Sequence, residues 1–97
     1  MIVNIKEDKE RKIITIVDDN LFGKRFSEGD FILDLTYKYF SGEKKNSVEI
    51  EELLEDKDVY LVNFIGEESV SLALELGLID DYKEIAGIKY AFYLNLN

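Results

Sequence analysis

Residues 59–79 read VYLVNFIGEESVSLALELGLI. Val59, Tyr60, Leu61, Val62, Phe64 and Ile65 make an almost unbroken run of β-branched, aromatic and aliphatic side chains, too short for a helix of ordinary length. Such a run suits a strand covered on both faces, whereas strict alternation marks a half-solvated one. Asn63 is its single polar break. Gly66 permits a sharp turn, and Glu67 and Glu68 follow where the positive end of a helix favours negative charge. Val70, Leu72, Ala73, Leu74 and Leu76 then form a wide apolar sector, with Glu68, Ser71 and Glu75 opposite. Gly77 stands where a left-handed residue ends a helix, and Leu78 can fold back onto the last turn. A strand and helix this apolar must be covered by the rest of the chain.

On the C-terminal side, Asp81 and Glu84 have capping-box spacing, which predicts a short helix ended by Gly87. Ile88, Tyr90, Phe92, Leu94 and Leu96 alternate with Lys89, Ala91, Tyr93 and Asn95, the pattern of a half-buried strand. On the N-terminal side, Ser47 is the expected cap of an amphipathic helix of about ten residues. Its apolar face is Val48, Ile50, Leu53 and Leu54, and Glu49, Glu51, Glu52 and Glu55 form the other.

The first third of the chain opens with Ile2, Val3 and Ile5, interleaved with Asn4 and Lys6. Residues 7–10 are a charged turn, and residues 13–17, IITIV, are a second strand. Together they predict an antiparallel hairpin with a loop of about four or five residues. Asp18, Asp19 and Asn20 end it. Residues 21–30, LFGKRFSEGD, read as a loop or short strand pair with Leu21, Phe22 and Phe26 pinned to the core. Phe31, Leu33 and Leu35 alternate with Ile32, Asp34 and Thr36 as a strand, which can run on through Tyr37, Tyr39 and Phe40. Residues 41–46, SGEKKN, are an exposed turn.

This order predicts an α+β fold in one compact domain spanning residues 1–97. An N-terminal antiparallel hairpin plus β-α-β-α-β gives a mixed sheet of about five strands, with strands joined through helices lying parallel and two main helices packed on the sheet. Ninety-seven residues suit a single modest core. The apolar fraction of 46% and the charged fraction of 34% are those of a soluble globule, and no apolar run is long enough to cross a bilayer. The first residues, MIVNIKEDKERK, lack a secretory layout, so the cytoplasm is the expected location and no membrane partner is expected.

Cys and His are both absent. Disulfides, thiolate chemistry, His-ligated metals and Ser-His hydrolysis are thereby excluded. The net charge is −9, and it is unevenly placed. Residues 1–45 hold nine acids and nine bases, whereas residues 46–97 hold twelve acids and three bases. A uniformly basic nucleic-acid surface is ruled out, but a local one is not.

The ordered blocks LFGKRFSEGDFILDL, YFSGE, NFIGEESVSLALELGLID and IAGIKYAFYL resemble the small archaeal proteins grouped as domain of unknown function family 424. The resemblance covers nearly the full chain, and its specificity lies in the ordered set rather than in any one motif. It implies an archaeal source and a compact single domain, and it implies no activity. Members of that family usually carry Gly-Val-Pro-His before the last strand, where this chain has Gly87-Ile88-Lys89-Tyr90. A His-dependent catalytic role for the family is put in doubt by that departure.

Two stretches stand out as candidate binding sites. In residues 21–26, Gly23 lets backbone approach a ligand, Lys24 and Arg25 attract phosphate, and Phe26 with its aromatic neighbour Phe22 can stack on bases. Lys44 and Lys45 extend this patch if the fold brings residues 42–46 near. In residues 63–67, Asn63 and Gly66 mark a strand-to-helix turn of the kind where small ligands bind open sheets, although Glu67 and Glu68 would repel phosphate. The bland readings are a tight turn with two solvated cations, and an Asn that ties down a neighbouring loop.

Residues 41–47 only faintly echo a phosphate-binding loop. Asp18, Asp19, Asn20, Asp30 and Asp34 match no calcium-loop spacing. The glutamates of residues 49–55 suit a basic protein partner or simply a solvated face. No cofactor, metal or catalytic residue is singled out. The reading that follows is a non-catalytic interaction module of translation or RNA metabolism, with RNA or a ribosomal or other protein as partner. The alternative is a small nucleotide- or metabolite-binding protein or enzyme using the 63–67 turn. A homodimer through a strand edge is a third expectation.

Overall fold

The computed structural model describes residues 1–36 and 41–96. Its elements run β1 (Ile2–Asp8), β2 (Arg11–Val17), β3 (Arg25–Glu28), β4 (Phe31–Asp34), β5 (Glu43–Lys44), α1 (Ser47–Leu53), β6 (Val59–Ile65), α2 (Glu67–Glu75), β7 (Lys83–Ile85) and β8 (Ile88–Leu94). Six strands form one mixed sheet in the order β5-β1-β2-β6-β8-β7, and β3 pairs with β4 in a separate hairpin. This is the α+β architecture expected: one domain, a mixed sheet and two helices. The extension of β4 through Tyr37, Tyr39 and Phe40 lies outside the described residues.

The apolar run of residues 59–65 becomes β6, an internal strand parallel to β2 and antiparallel to β8. One side of the sheet carries Val3, Ile14, Ile16, Val62, Phe64 and Ala91, in one buried cluster with Ile50 of α1 and Val70, Leu72 and Ala73 of α2. On the other side, Val17 and Ile65 join Leu21 and Leu35, with Phe26 and Leu33 of the hairpin packed against them. Both faces of β6 are therefore covered at its C-terminal end, by helices on one side and by the hairpin on the other.

Helix α2 begins and ends as its glycines require. Gly66 holds φ at +111°, a value that L side chains avoid, so the chain turns from strand into helix within one residue. At the far end the Leu78 N–H donates to the Ala73 carbonyl and the Gly77 N–H to the Leu74 carbonyl, both at 3.1 Å. This paired closure is a Schellman motif, and Leu78 packs back against the core.

Five local expectations are corrected. The β1–β2 loop is the two-residue Lys9-Glu10 turn, because cross-strand pairs Glu7–Lys12 and Asp8–Arg11 carry the ladder outward. The strand of residues 31–34 is not in the main sheet. It pairs with β3 across Gly29-Asp30, since a two-residue loop costs little closure entropy. The parallel partner of β6 is consequently β2 rather than β4. Residues 83–85 form strand β7 rather than a helix, joined to β8 through Ala86-Gly87 with positive φ at both positions. Because β7 and β6 both run antiparallel to β8, the crossover through α2 lands on a parallel strand, with β8 slotted between. Finally, α1 is seven residues long and capped by Asn46, not Ser47, and Val48 of its expected apolar face is exposed.

The Asn46 side chain accepts from the Glu49 N–H at 2.9 Å, and the Glu49 carboxylate accepts from the Asn46 N–H at 3.1 Å. This is a reciprocal capping box. Asn46→Ala is expected to cost about 1 kcal/mol in chemical denaturation. Ser47→Ala is expected to leave the transition where it is.

Candidate functional site

The turn at Gly66 is closed from within. Asp18, at the end of β2, is only 5% exposed and lies over the N-terminus of α2. Its Oδ2 accepts from the Glu68 N–H at 2.9 Å, and its Oδ1 accepts from the Ser69 N–H at 2.8 Å and the Ser69 hydroxyl at 2.6 Å. A Cβ on Gly66 would overlap the Asp18 carboxylate. The groups that would greet a phosphate at this helix end are thus taken by the protein's own carboxylate.

Asn63 does not share that turn. Strand alternation sends its side chain to the hairpin side of the sheet, where the register places Asn4, Thr15, Asn63 and Phe92 in one row across β1, β2, β6 and β8. An open cleft of about 320 Å³ lies there, lined among others by Thr15, Leu33, Asn63, Ile85, Tyr90 and Phe92. The structure therefore separates the two residues that the sequence grouped.

The loop of residues 21–26 is anchored rather than loose. Leu21 is buried, Phe26 packs into the hairpin cluster, and the backbone is tied by Gly23 N–H to Leu35 carbonyl, Lys24 N–H to Leu21 carbonyl and Leu35 N–H to Lys24 carbonyl. From this fixed base Lys24 and Arg25 reach solvent, and so does Phe22, which is 40% exposed and not pinned to the core with Leu21 and Phe26 as expected. The Arg25 Nε lies 3.8 Å from Asp34, whose carboxyl is held below the usual aspartate range chiefly by hydrogen bonds from Thr36.

Lys44 and Lys45 sit on the opposite edge of the sheet, in or beside β5. Lys44 meets Asp19 at 2.9 Å, and Asp19 also receives the N-terminal ammonium at 2.9 Å. These hydrogen bonds lower the Asp19 pKa and raise that of Lys44. Lys45 lies 3.5 Å from Glu43. Both lysines thus stand beside acids. Among the described residues no three carboxylates converge as a metal site. Asp18 serves α2, Asp19 serves Lys44 and the terminus, and Asp34 serves Thr36.

The family described as "Protein of unknown function (DUF424)" matches residues 5–96. The chain belongs to that family. Among solved structures it is similar to the crystal structure of an uncharacterized conserved protein from Methanopyrus kandleri. The two are 19% identical, with a TM-score of 0.79 over 99% of this chain and 93% of that one. At that identity the likeness speaks for the fold alone. No curated protein matches. Among the described residues no helix is long and apolar enough to cross a membrane.

Within this DUF424 fold, two residues that matter to the surfaces above were not singled out from sequence. Thr15 is the lone polar residue in residues 13–17, as Asn63 is in residues 59–65. Each interrupts an apolar strand once, and parallel pairing of those strands sets the two side by side. Asp18 was read as a turn residue, and its partners lie about fifty positions away, beyond any local pattern.

Proposed function

We propose that this protein is a non-catalytic interaction module of archaeal translation or RNA metabolism, and that the β3–β4 hairpin with its preceding loop is the surface it offers to RNA. One observation carries this reading: Phe22, Lys24 and Arg25 are exposed together on a loop whose backbone is pinned to the core. A pinned loop loses little conformational freedom on binding, so two cations and a ring act at low entropic cost. Lys24 meets no acid among the described residues. The acidic remainder of the chain repels RNA elsewhere and orients the approach.

The test is fluorescence anisotropy with a labelled single-stranded RNA over a salt series. Binding is expected to weaken as salt rises. Lys24→Glu with Arg25→Glu is expected to abolish it. Lys24→Gln with Arg25→Gln is expected to reduce the slope of log K against log salt by about 1.4, the share of two phosphate contacts on a single strand. Unchanged binding by both double variants removes the reading.

A second observation favours self-association. Strand β7 pairs only with residues 88–90 of β8, which leaves the outer edge of Ala91–Leu94 without a neighbour among the described strands. Phe92 and Leu94 stand exposed along it, with Leu96 beyond at 79% exposure. Residues 90–96 carry no charge, so a second copy meets no repulsion there. Light scattering at micromolar concentration is expected to give a dimer that Leu94→Lys returns to monomer. A wild-type monomer contradicts this second reading.

A further inference from the structure

We propose that the cleft on the hairpin side of the sheet is a binding site for an uncharged, planar heterocycle of the nucleobase class, read by Thr15 and Asn63 and stacked on Phe92. The inference stands apart from the hairpin reading above, because it uses none of the loop cations.

The first ground is an unanswered polar group. Thr15 is 1% exposed, and its Oγ1 has no hydrogen-bond partner. Buried hydroxyls normally find one, and a hydroxyl that does not carries a desolvation cost that a ligand atom can remove. Asn63, beside it on the neighbouring parallel strand, lines the same cleft. Side by side they offer an amide N–H pair, an amide oxygen and a hydroxyl that both donates and accepts. That set matches the edge of a ring carrying an adjacent donor and acceptor, as an amide or amidine ring edge does.

The second ground is shape and charge. Leu33, Ile85 and Tyr90 wall the cleft, and no charged side chain lines it among the described residues, in a chain of which 34% is charged. A phosphate or carboxylate would lose its water here and receive no cation in return. The volume of about 320 Å³ is at the small end for ligand pockets and suits one ring system rather than a whole nucleotide. Phe92 follows Asn63 in the same row and is 62% exposed, so its ring is available to a flat partner. A base comes either free or as a nucleoside, or from an unstacked position of single-stranded RNA. The chemistry read by the cleft is the same.

Amide and side-chain carboxamide shifts of the isotope-labelled full chain test this. The probes are adenine, hypoxanthine, uracil and cytosine, their nucleosides, their monophosphates, short single-stranded oligoribonucleotides, and benzoate as a charged planar control. Perturbation of Thr15, Asn63, Tyr90 and Phe92 is expected with at least one free base or nucleoside, or with the oligoribonucleotides. The first outcome assigns the source to a small molecule and the second to RNA. Benzoate is expected to leave these shifts unmoved. Thr15→Val and Asn63→Leu keep shape while removing the polar groups, and each is expected to weaken binding about tenfold. Thr15→Val should leave the folded state at least as stable, so loss of binding in that variant is not loss of fold. No shift at these four residues with any base-bearing probe, or equal binding by Thr15→Val and Asn63→Leu, overturns the proposal.

Discussion

Phe64→Ala is expected to lower the unfolding free energy by about 4 kcal/mol and the melting temperature by about 20 °C. Phe64 is fully buried in the middle of the sheet, opposite Ile16 on one neighbouring strand and Ala91 on the other. It belongs to the cluster that joins the sheet to both helices. Removing its ring opens a cavity whose walls are two ladders of backbone hydrogen bonds and a helix, none of which can collapse into it cheaply. Phe92→Ala deletes the same atoms from an exposed site and is expected to change stability by about 0.5 kcal/mol or less. Equal effects of the two substitutions would mean that residue 64 is not where the core lies.

The second large effect is expected at the strand-to-helix turn. Asp18→Ala strands two backbone N–H groups and the Ser69 hydroxyl at a buried helix end, and a loss of about 3 kcal/mol is expected. Gly66→Ala is expected to cost a similar amount, about 3 kcal/mol, by forcing a Cβ into positive φ and pushing the Asp18 carboxylate off its donors. The two changes destroy the same bonds. The double variant should therefore lose about 4 kcal/mol rather than the sum, a coupling well above the scatter for independent sites. Additive losses would show that Asp18 and Gly66 act separately. Urea denaturation of the four proteins measures the cycle directly.

What was legible in the sequence is what is local. The run from Val59 to Ile65, the turn at Gly66 and the Gly77–Leu78 closure are all decided within a few residues, and each stands as read. The apolar sector of α2 is narrower than expected, with Leu74 exposed and Ser69 buried. The N-terminal hairpin is local in the same sense apart from its shorter turn. The last strand forms where the alternation puts it, but with its faces exchanged: Ala91 and Tyr93 lie on the helix-side core, while Phe92, Leu94 and Leu96 of the expected apolar series are exposed. Misreadings arose where two local devices share one spelling. Asp81 and Glu84 have the spacing of a helix start, yet Ala86-Gly87 makes a tight hairpin turn, and pairing with β8 decides between them.

The pairing of β2 with β6 could not be read, because no short-range pattern says which strands meet across more than forty residues. Everything that depends on that pairing was hidden with it. Thr15 beside Asn63 and Asp18 over Glu68 and Ser69 are both products of one long-range parallel register. The candidate surface at residues 21–26 was legible as chemistry, since Gly, Lys, Arg and Phe announce themselves. Its rigidity was not, because the ties run to Leu35 and the buried cluster around it.

Strand β6 is the axis of this molecule, held between β2 and β8 and released into α2 under the Asp18 carboxylate. Native-state amide hydrogen exchange tests that most directly. The amides of Val62, Phe64 and Ile65, together with Ser69 at the capped helix end, are expected to exchange only through global unfolding. Those of β5 and β7 should open far more readily. Exchange of the β6 amides at the rate of the edge strands would contradict the account.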